Sequence, residues 1–199
     1  AAASRVAHMR KGSATDSQNY FLTVIFPDNQ MKILDYNRVI RDLNGHSVES
    51  FLEQVGARFS IEKQSQAVKP DATGVFGMYL DGQWYRLTID DQLIPKNDPV
   101  GRLDVSLLQE QLISPVLEID DPRRDKRIDF VGGIRGLGEL EKRVNSGEMQ
   151  VAFALHPTRM SELMSVADAE EVMPPKSTWF EPKLADGLVS HVLDCTCDN

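Results

Sequence analysis

The dipeptide Asp81-Gly82 lies between two apolar segments rich in β-forming residues, and this arrangement constrains the fold more than any other feature of the chain. Residues 75–80 precede the dipeptide, and residues 84–89 follow it. Aspartate-glycine is a preferred turn sequence of β-hairpins. The Asp-Gly-Gln spacing leaves a longer loop open as an alternative. The two segments alternate imperfectly between apolar and polar residues, so we expect both faces of their sheet to be covered.

Two further segments predict amphipathic helices, and three predict strands. One helix follows the capping residue Ser47 and the other follows the capping residue Asp104, and each buries the face on which apolar residues recur at intervals of three and four. Those residues are Val48, Phe51, Leu52 and Val55 in the first helix and Val105, Leu108, Leu112 and Ile113 in the second. The predicted strands are residues 20–26, 31–34 and 59–64.

The last third of the chain alternates between strand and helix patterns. Residues 128–131 and 151–155 are predicted strands, and a helix over 137–144 lies between them. A strand, helix and strand in succession usually wind as a βαβ unit, so we expect the two strands to be parallel neighbours. The fold class is therefore α/β of the mixed α+β kind, a mixed sheet with flanking helices, a hairpin over 75–89 and a βαβ unit. We expect one compact domain over residues 1–199.

Composition places the chain among soluble globular proteins, with 41% hydrophobic and 26% charged residues. No apolar run approaches the ~20 residues that cross a bilayer, and we expect a cytoplasmic protein. The net charge of -8 argues against nucleic acid as a partner, because phosphate backbones attract clustered Lys and Arg. Cys195 and Cys197 are the only cysteines, so the chain alone cannot form a four-thiolate zinc site.

Three prolines, Pro174, Pro175 and Pro182, frame the segment with the most candidate ligand-binding residues. Their fixed φ angles favour an extended path along which polar side chains are held at little entropic cost. Two cations, two hydroxyls and one carboxylate suit an anionic ligand such as phosphate. These residues are Lys176, Lys183, Ser177, Thr178 and Glu181. The alternative is a structural loop in which Trp179 and Phe180 pack in the core and the lysines are solvated.

Two other stretches carry candidate anion ligands. The glycine-rich segment 132–138 lies between a predicted strand and a predicted helix, where free amides favour an anion and Arg135 can add a bidentate contact. Its spacing matches neither nucleotide-binding glycine motif, and a tight turn is the alternative. Asn37 and Arg38 follow a predicted strand, and the alternative is a structural ion pair of Arg38 with Asp35. The histidines are isolated from other metal ligands, so we expect no metal site.

Residues 166–188, VADAEEVMPPKSTWFEPKLADGL, resemble the C-terminal signature of the bacterial and archaeal family called domain of unknown function 1015. Further segments agree with the family in order. They are ILDYNRVIRDLNG, GQWYRL, RLDVSLLQEQLISPVL, IDFVGG and VAFALHPT. The resemblance covers essentially the whole chain. It implies a longer protein in which residues 1–199 are the C-terminal portion, and in which an N-terminal portion, absent here, carries an Asp-Gly-His-His-Arg motif.

That motif resembles the phosphate-contacting box of the ParB and sulfiredoxin-like superfamily, some of whose members bind nucleotide or phosphorylate a free amino acid. By this analogy, the helix that begins at Ala1 has its N-terminus at a phosphate site. We therefore expect Lys176 and Lys183 to lie near that terminus.

Two functions follow from the resemblance. The first is a phosphotransfer enzyme, a kinase or phosphatase, that acts on a small metabolite such as serine or phosphoserine, with a nucleotide and Mg²⁺ as cofactors of the longer protein. The second is a ParB-like nucleotide-binding or regulatory protein without catalysis. Both predict a small phosphorylated metabolite or a nucleotide as the partner, and both are compatible with a homo-oligomer. The resemblance assigns no catalytic residue.

Overall fold

The structure of the protein is a computed structural model that describes residues 2–9, 17–185 and 187–192. The chain forms two compact units, a larger one over Lys32–Glu181 and a smaller one drawn from Ala1–Met31 and Pro182–Asn199. Cys195, Cys197 and Ala1 lie outside the described residues. The expectation of one domain over residues 1–199 stays a prediction. Within the described ranges, no helix is long and apolar enough to cross a membrane.

Helices and strands are intermixed along the chain. The helices are α1 (Ala2–Met9) in the smaller unit and, in the larger unit, α2 (Val48–Gly56), α3 (Asp104–Leu108), α4 (Ser114–Leu117), α5 (Leu137–Asn145) and α6 (Met160–Asp168), with a π-helical turn over Gln109–Ile113 between α3 and α4. The strands, all in the larger unit, are β1 (Lys32–Leu34), β2 (Tyr36–Ile40), β3 (Phe59–Gln64), β4 (Val75–Leu80), β5 (Gln83–Ile89), β6 (Ile128–Gly132), β7 (Val151–Ala154) and β8 (Trp179–Glu181).

Six of the described strands form one sheet in the order β3-β5-β4-β7-β2-β6, and β1 pairs with β8 in a second, two-stranded sheet. Every one of these ladders is antiparallel. The predicted α+β class and the hairpin are confirmed, but the predicted mixed sheet is wrong, because each pair of neighbouring strands in the described six-stranded sheet is antiparallel. Asp81 and Gly82 form a two-residue turn with φ angles of 48° and 74°, as a type I′ turn requires, so the longer loop is excluded.

The prediction that residues 128–131 and 151–155 are neighbouring strands is wrong. β6 and β7 run in the same direction, but β2 lies between them and pairs antiparallel with both. Val39 and Ile40 of β2 are fully buried, on opposite faces of the sheet. β2, which comes much earlier in the sequence, therefore lies between the two strands that the local pattern predicted to be neighbours.

Both faces of the six-stranded sheet are covered, as the imperfect alternation predicted. All six residues of β4 are buried. On one face, Ile40 belongs to a core that includes residues of α2, α3, α4 and the π-helical turn. On the other face, Val39 packs in a cluster with Leu140 and Val144 of α5. Helix α2 begins as predicted, because the Ser47 hydroxyl accepts a hydrogen bond from the Ser50 amide at 3.2 Å.

The predicted strand over residues 20–26 is not formed. Tyr20, Phe21 and Ile25 are 57%, 67% and 85% exposed, and no described strand pairs with this segment. A strand requires a partner whose backbone groups are free, and β propensity alone does not supply one. The predicted strands over 31–34 and 59–64 do find partners, in β8 and β5.

Asp104 does not cap a helix from outside, because it is the first residue of α3 and Leu103 holds the capping position. The Asp104 side chain points back to the start of β4 instead and accepts a hydrogen bond from the Gly74 amide at 2.7 Å. Asp104 is 8% exposed. Burial raises the pKa of its carboxyl to about 7, with a further increase from Glu162, while the Gly74 amide and Arg159 oppose the change.

We predict that Asp104→Asn removes a pH dependence of stability. Between its ordinary pKa of 3.8 and about 7, Asp104 holds a proton in the folded chain but not in the unfolded chain. The free energy of unfolding therefore falls as pH rises through this window, at about 1.4 kcal/mol per pH unit at most, and levels off above it. Asparagine can still accept from Gly74 but cannot ionise. In urea unfolding from pH 5 to pH 8, the free energy of unfolding of the variant should rise relative to that of the wild type as pH increases. If the two free energies change in parallel with pH, the raised pKa of Asp104 is contradicted.

Candidate functional site

Strand β2 places Arg38 inside the six-stranded sheet, opposite Phe130 of β6 and Phe153 of β7. Arg38 is only 5% exposed. One guanidinium nitrogen donates a hydrogen bond to the carbonyl of Tyr36, and the guanidinium carbon lies 5.3 Å from the centre of the Phe130 ring. Among the described residues, no carboxylate lies within ion-pairing distance of Arg38. The structural ion pair with Asp35 is therefore not formed.

The Arg38 guanidinium is a buried positive charge. Burial lowers its pKa to about 10, and the side chain of Tyr36 opposes this change. The group stays protonated at neutral pH. Removing a cation from water costs on the order of several kcal/mol, and contact with one aromatic ring returns about 1 to 2 kcal/mol. The anionic group of a ligand would offset the rest of this cost.

Arg38 opens onto a cavity of about 500 Å³. Its walls come from α3 and the π-helical turn, from the loop after α4 and from the first two prolines of the proline-framed segment. The lining residues are Arg38, Val100, Val105, Ser106, Gln109, Glu110, Asp120, Asp121, Pro122, Arg123, Pro174 and Pro175. Arg123 lies 2.9 Å from Asp121 and holds the pKa of that carboxyl at about 2. The charges that remain around the cavity are Arg38, Glu110 and Asp120.

Lys176 is linked to the same end of the sheet through aromatic rings. Its ammonium nitrogen lies 5.6 Å from the centre of the Tyr36 ring. That ring lies 5.5 Å from Trp179 and 6.0 Å from Phe130, the ring beneath Arg38. Lys176 has a φ of 56°, a left-handed conformation that costs a residue with a side chain about 1 to 2 kcal/mol. The turn at Pro175 and Lys176 is therefore held by its surroundings, and it directs the lysine toward the rings.

Asn37 lies on the opposite side of β2 from Arg38 and is fully buried. Its amide nitrogen donates to the Asp35 carboxylate at 2.6 Å, and its amide oxygen accepts from the backbone of Leu155 at 3.0 Å. Asn37 thus ties the start of β2 to the end of β7. Its position does not bring it to the Arg38 cavity.

The other predicted residues are dispersed. Arg135 is exposed and lies 4.0 Å from Glu139, while the glycine-rich segment forms a tight turn whose Gly133 amide donates to the Asp35 carbonyl at 2.8 Å. Ser177 is buried, and its carbonyl accepts from Thr158. Three residues of the proline-framed segment have other surroundings: Thr178 is half-buried, Glu181 accepts from the Trp179 indole at 2.6 Å, and Lys183 is exposed in the smaller unit.

The cavity also contains charged residues that pattern reasoning did not single out. Glu110 lies on the exposed side of the π-helical turn, and Asp120, Asp121 and Arg123 belong to a charged run around Pro122. A proline-interrupted charged loop directly after an apolar helix is the signal that could have identified them. Within the described ranges, no group of three or more His, Cys, Asp and Glu side chains could hold a metal ion.

The chain is thus an α+β protein with a buried cation at a cavity beside its central antiparallel strands. A family model described as "Protein of unknown function (DUF1015)" matches residues 1–106, more than half of the chain, and the protein belongs to this family. Among curated proteins, none matches the chain.

Solved structures provide two similarities. One is to a free serine kinase in complex with AMP, at 13% identity and a TM-score of 0.46, over 77% of this chain and 55% of that chain. The other is to a conserved hypothetical protein from Pyrococcus furiosus, at 18% identity and a TM-score of 0.46, over 77% of this chain and 57% of that one. The chain spans about half the length of these solved chains.

We predict that Gly132→Ala loosens the proline-framed segment. A Cβ at this glycine would lie 2.5 Å from two ring carbons of Trp179, so the indole must move off β6. The free energy of unfolding should fall by about 1 to 3 kcal/mol, and proteases should cut between Pro174 and Trp179 sooner. Gly138→Ala is the matched control, because its Cβ meets open space on a helix and should leave stability unchanged or slightly raised. Equal effects of the two substitutions would show that Trp179 does not hold the segment.

Proposed function

We propose that the protein is the ligand-binding part of a phosphotransfer enzyme that acts on a small metabolite such as serine or phosphoserine. The observation that carries the proposal is the buried, protonated guanidinium of Arg38 at the wall of a cavity. Five donors in a planar fork suit the two oxygens of a carboxylate or phosphate. In this proposal Arg38 binds the anionic group of the metabolite, and Pro174 and Pro175 form a rigid wall that loses little entropy on binding.

The acidic residues at the cavity favour a ligand that also carries a positive charge. Glu110 and Asp120 face the cavity that Arg38 lines, and Asp120 is fixed by the Ser114 hydroxyl at 2.5 Å. Two carboxylates attract an ammonium group, which a free nucleotide lacks. An α-amino acid presents both an ammonium and a carboxylate within one small molecule. This charge pattern supports a serine-like metabolite over a free nucleotide as the occupant of this cavity.

Lys176 is the second cation of the proposal. It approaches the ring of Tyr36 from the proline-framed segment, and Tyr36 contacts the ring beneath Arg38. An ammonium near the cavity would attract the phosphoryl group that is transferred. A nucleotide would supply or accept that group. We assign no metal ligand among the described residues, which form no group of three or more His, Cys, Asp and Glu side chains that could hold a metal ion.

The substitution Arg38→Met tests the proposal. It should make the ligand-free protein more stable, and it should weaken the binding of the ligand. Removing a buried charge that has no carboxylate partner should raise the free energy of unfolding by on the order of 1 kcal/mol. Calorimetric titration with phosphoserine and serine should show at least about tenfold weaker binding, since a bidentate charged contact is lost. Arg41→Met, on an exposed arginine three residues away, is the control and should change neither quantity.

The outcomes separate the candidate functions. Binding of phosphoserine or serine that depends on Arg38 supports the proposal. Binding of ADP or AMP with no binding of serine, and no turnover when both are supplied, favours the ParB-like nucleotide-binding protein without catalysis. A lower stability of Arg38→Met together with unchanged binding would make Arg38 a structural residue and overturn the proposed site.

A further inference from the structure

A second cavity, of about 400 Å³, lies between the loop that precedes α3 and the start of α6. Its lining includes Lys96, Arg102, Arg159, Ser161, Glu162 and Ser165. None of them lines the Arg38 cavity. Any ligand of this second cavity therefore has its own set of protein contacts.

The side chains that line this cavity have a positive net charge, although the net charge of the whole chain is -8. Three of its side chains are basic and one is acidic. The acidic one, Glu162, is already engaged: one oxygen accepts from the Arg159 backbone amide at 2.8 Å, and the other lies 3.3 Å from the Arg159 guanidinium. Lys96 and Arg102 have no ion pair with any described residue. Two uncompensated cations at one cavity repel each other, and an anion between them removes this repulsion.

Hydrogen bonds hold the parts of the cavity in place. The Asp98 carboxylate accepts from the amides of Val100 and Gly101 at 2.9 and 2.8 Å, and the Asp98 carbonyl accepts from the Arg102 amide at 3.2 Å. This closed turn fixes the backbone from which Arg102 extends. Across the cavity, the Arg159 guanidinium donates to the Thr73 hydroxyl at 2.7 Å. The cations are thus presented by two anchored segments, which lowers the entropy lost when a ligand binds.

Hydroxyl groups complete the set of donors. The Ser165 hydroxyl donates to the Ser161 carbonyl at 2.9 Å, which holds it against the helix. The Ser161 hydroxyl has no hydrogen-bond partner among the described residues and borders the cavity. Cations with a hydroxyl donor form the donor set that recognises the oxygens of a phosphate or sulfate group.

From these contacts we infer that the second cavity is an anion-binding site that takes a phosphate-bearing small molecule of about two negative charges. Lys96 and Arg102 contact the phosphate oxygens, Ser161 donates a hydrogen bond, and Arg159 adds positive charge from its fixed position. The cavity volume leaves room for a substituent on the phosphate, as in a phosphate monoester. This inference is independent of the function proposed for the Arg38 cavity.

Sulfate is the probe for the test, since its charge does not change near neutral pH. The host is Arg38→Met, which removes the other candidate anion site from the experiment. In this host, calorimetric titration at constant ionic strength should detect one sulfate site. Adding Lys96→Gln and Arg102→Gln should weaken binding by about tenfold or more, because two charged contacts are lost. Adding Lys63→Gln and Arg41→Gln instead removes the same charge from exposed positions elsewhere and should leave binding unchanged.

Amide chemical shifts locate the bound anion. On titration with sulfate, and again with inorganic phosphate, the amides of Arg102 and Ser161 should shift together in the Arg38→Met host. The inference is overturned if no sulfate binding is detected, if the two double substitutions weaken it equally, or if those two amides do not shift. Folding of every variant is checked by its urea unfolding curve, and a Lys96→Gln single variant replaces the double one if that fails to fold.

Discussion

The insertion of β2 between β7 and β6 is the constraint on which the rest of the larger unit depends. Both edges of the strand are hydrogen-bonded, and residues 37–40 are all buried, so whatever side chains β2 carries must be accommodated inside the protein. Val39 and Ile40 are apolar and pack in the two apolar clusters, one on each face of the sheet. Asn37 is satisfied by Asp35 and the Leu155 amide. Arg38 is the exception, because its charge is buried next to one aromatic ring and a single carbonyl.

Under the proposed function, that exception explains how a structural strand would also contribute to a binding site. Folding has already removed most water from the Arg38 guanidinium, and an anion bound to it would be shielded from water, which would strengthen the contact. The Pro174 and Pro175 wall and the helical residues opposite it shape the space that the guanidinium faces. Trp179 packs on Gly132 and Tyr36, which fastens the proline-framed segment to the sheet beside this space. The rings that fasten this segment thus lie beside the cavity of the proposed function.

Local patterns predicted the local structures well and their assembly less well. The Asp81-Gly82 turn and the helix after Ser47 formed as predicted, because each depends on residues within a few positions of one another. The predictions that β6 pairs with β7 and that residues 20–26 form a strand were wrong. Both depend on which backbone from a distant part of the chain is free to form hydrogen bonds. The prediction that Asp104 caps a helix was wrong for a related reason. Its carboxylate accepts a hydrogen bond from the Gly74 amide, thirty positions away along the chain, and no helix-capping pattern includes so distant a donor.

The sequence by itself determined the α+β class, the hairpin, most helix positions and a set of cations suited to anions, because periodicity, turn chemistry and charge are local properties of the chain. Only the tertiary structure decided which of these cations are buried, which contact an aromatic ring and which are exposed. It buried Arg38 without a carboxylate, carried Lys176 to the Tyr36 ring, and left Arg135 in solvent. The physical reason is that the cost of a charge depends on its solvent exposure and on its neighbours, and both are set by strands and loops that lie far apart in sequence.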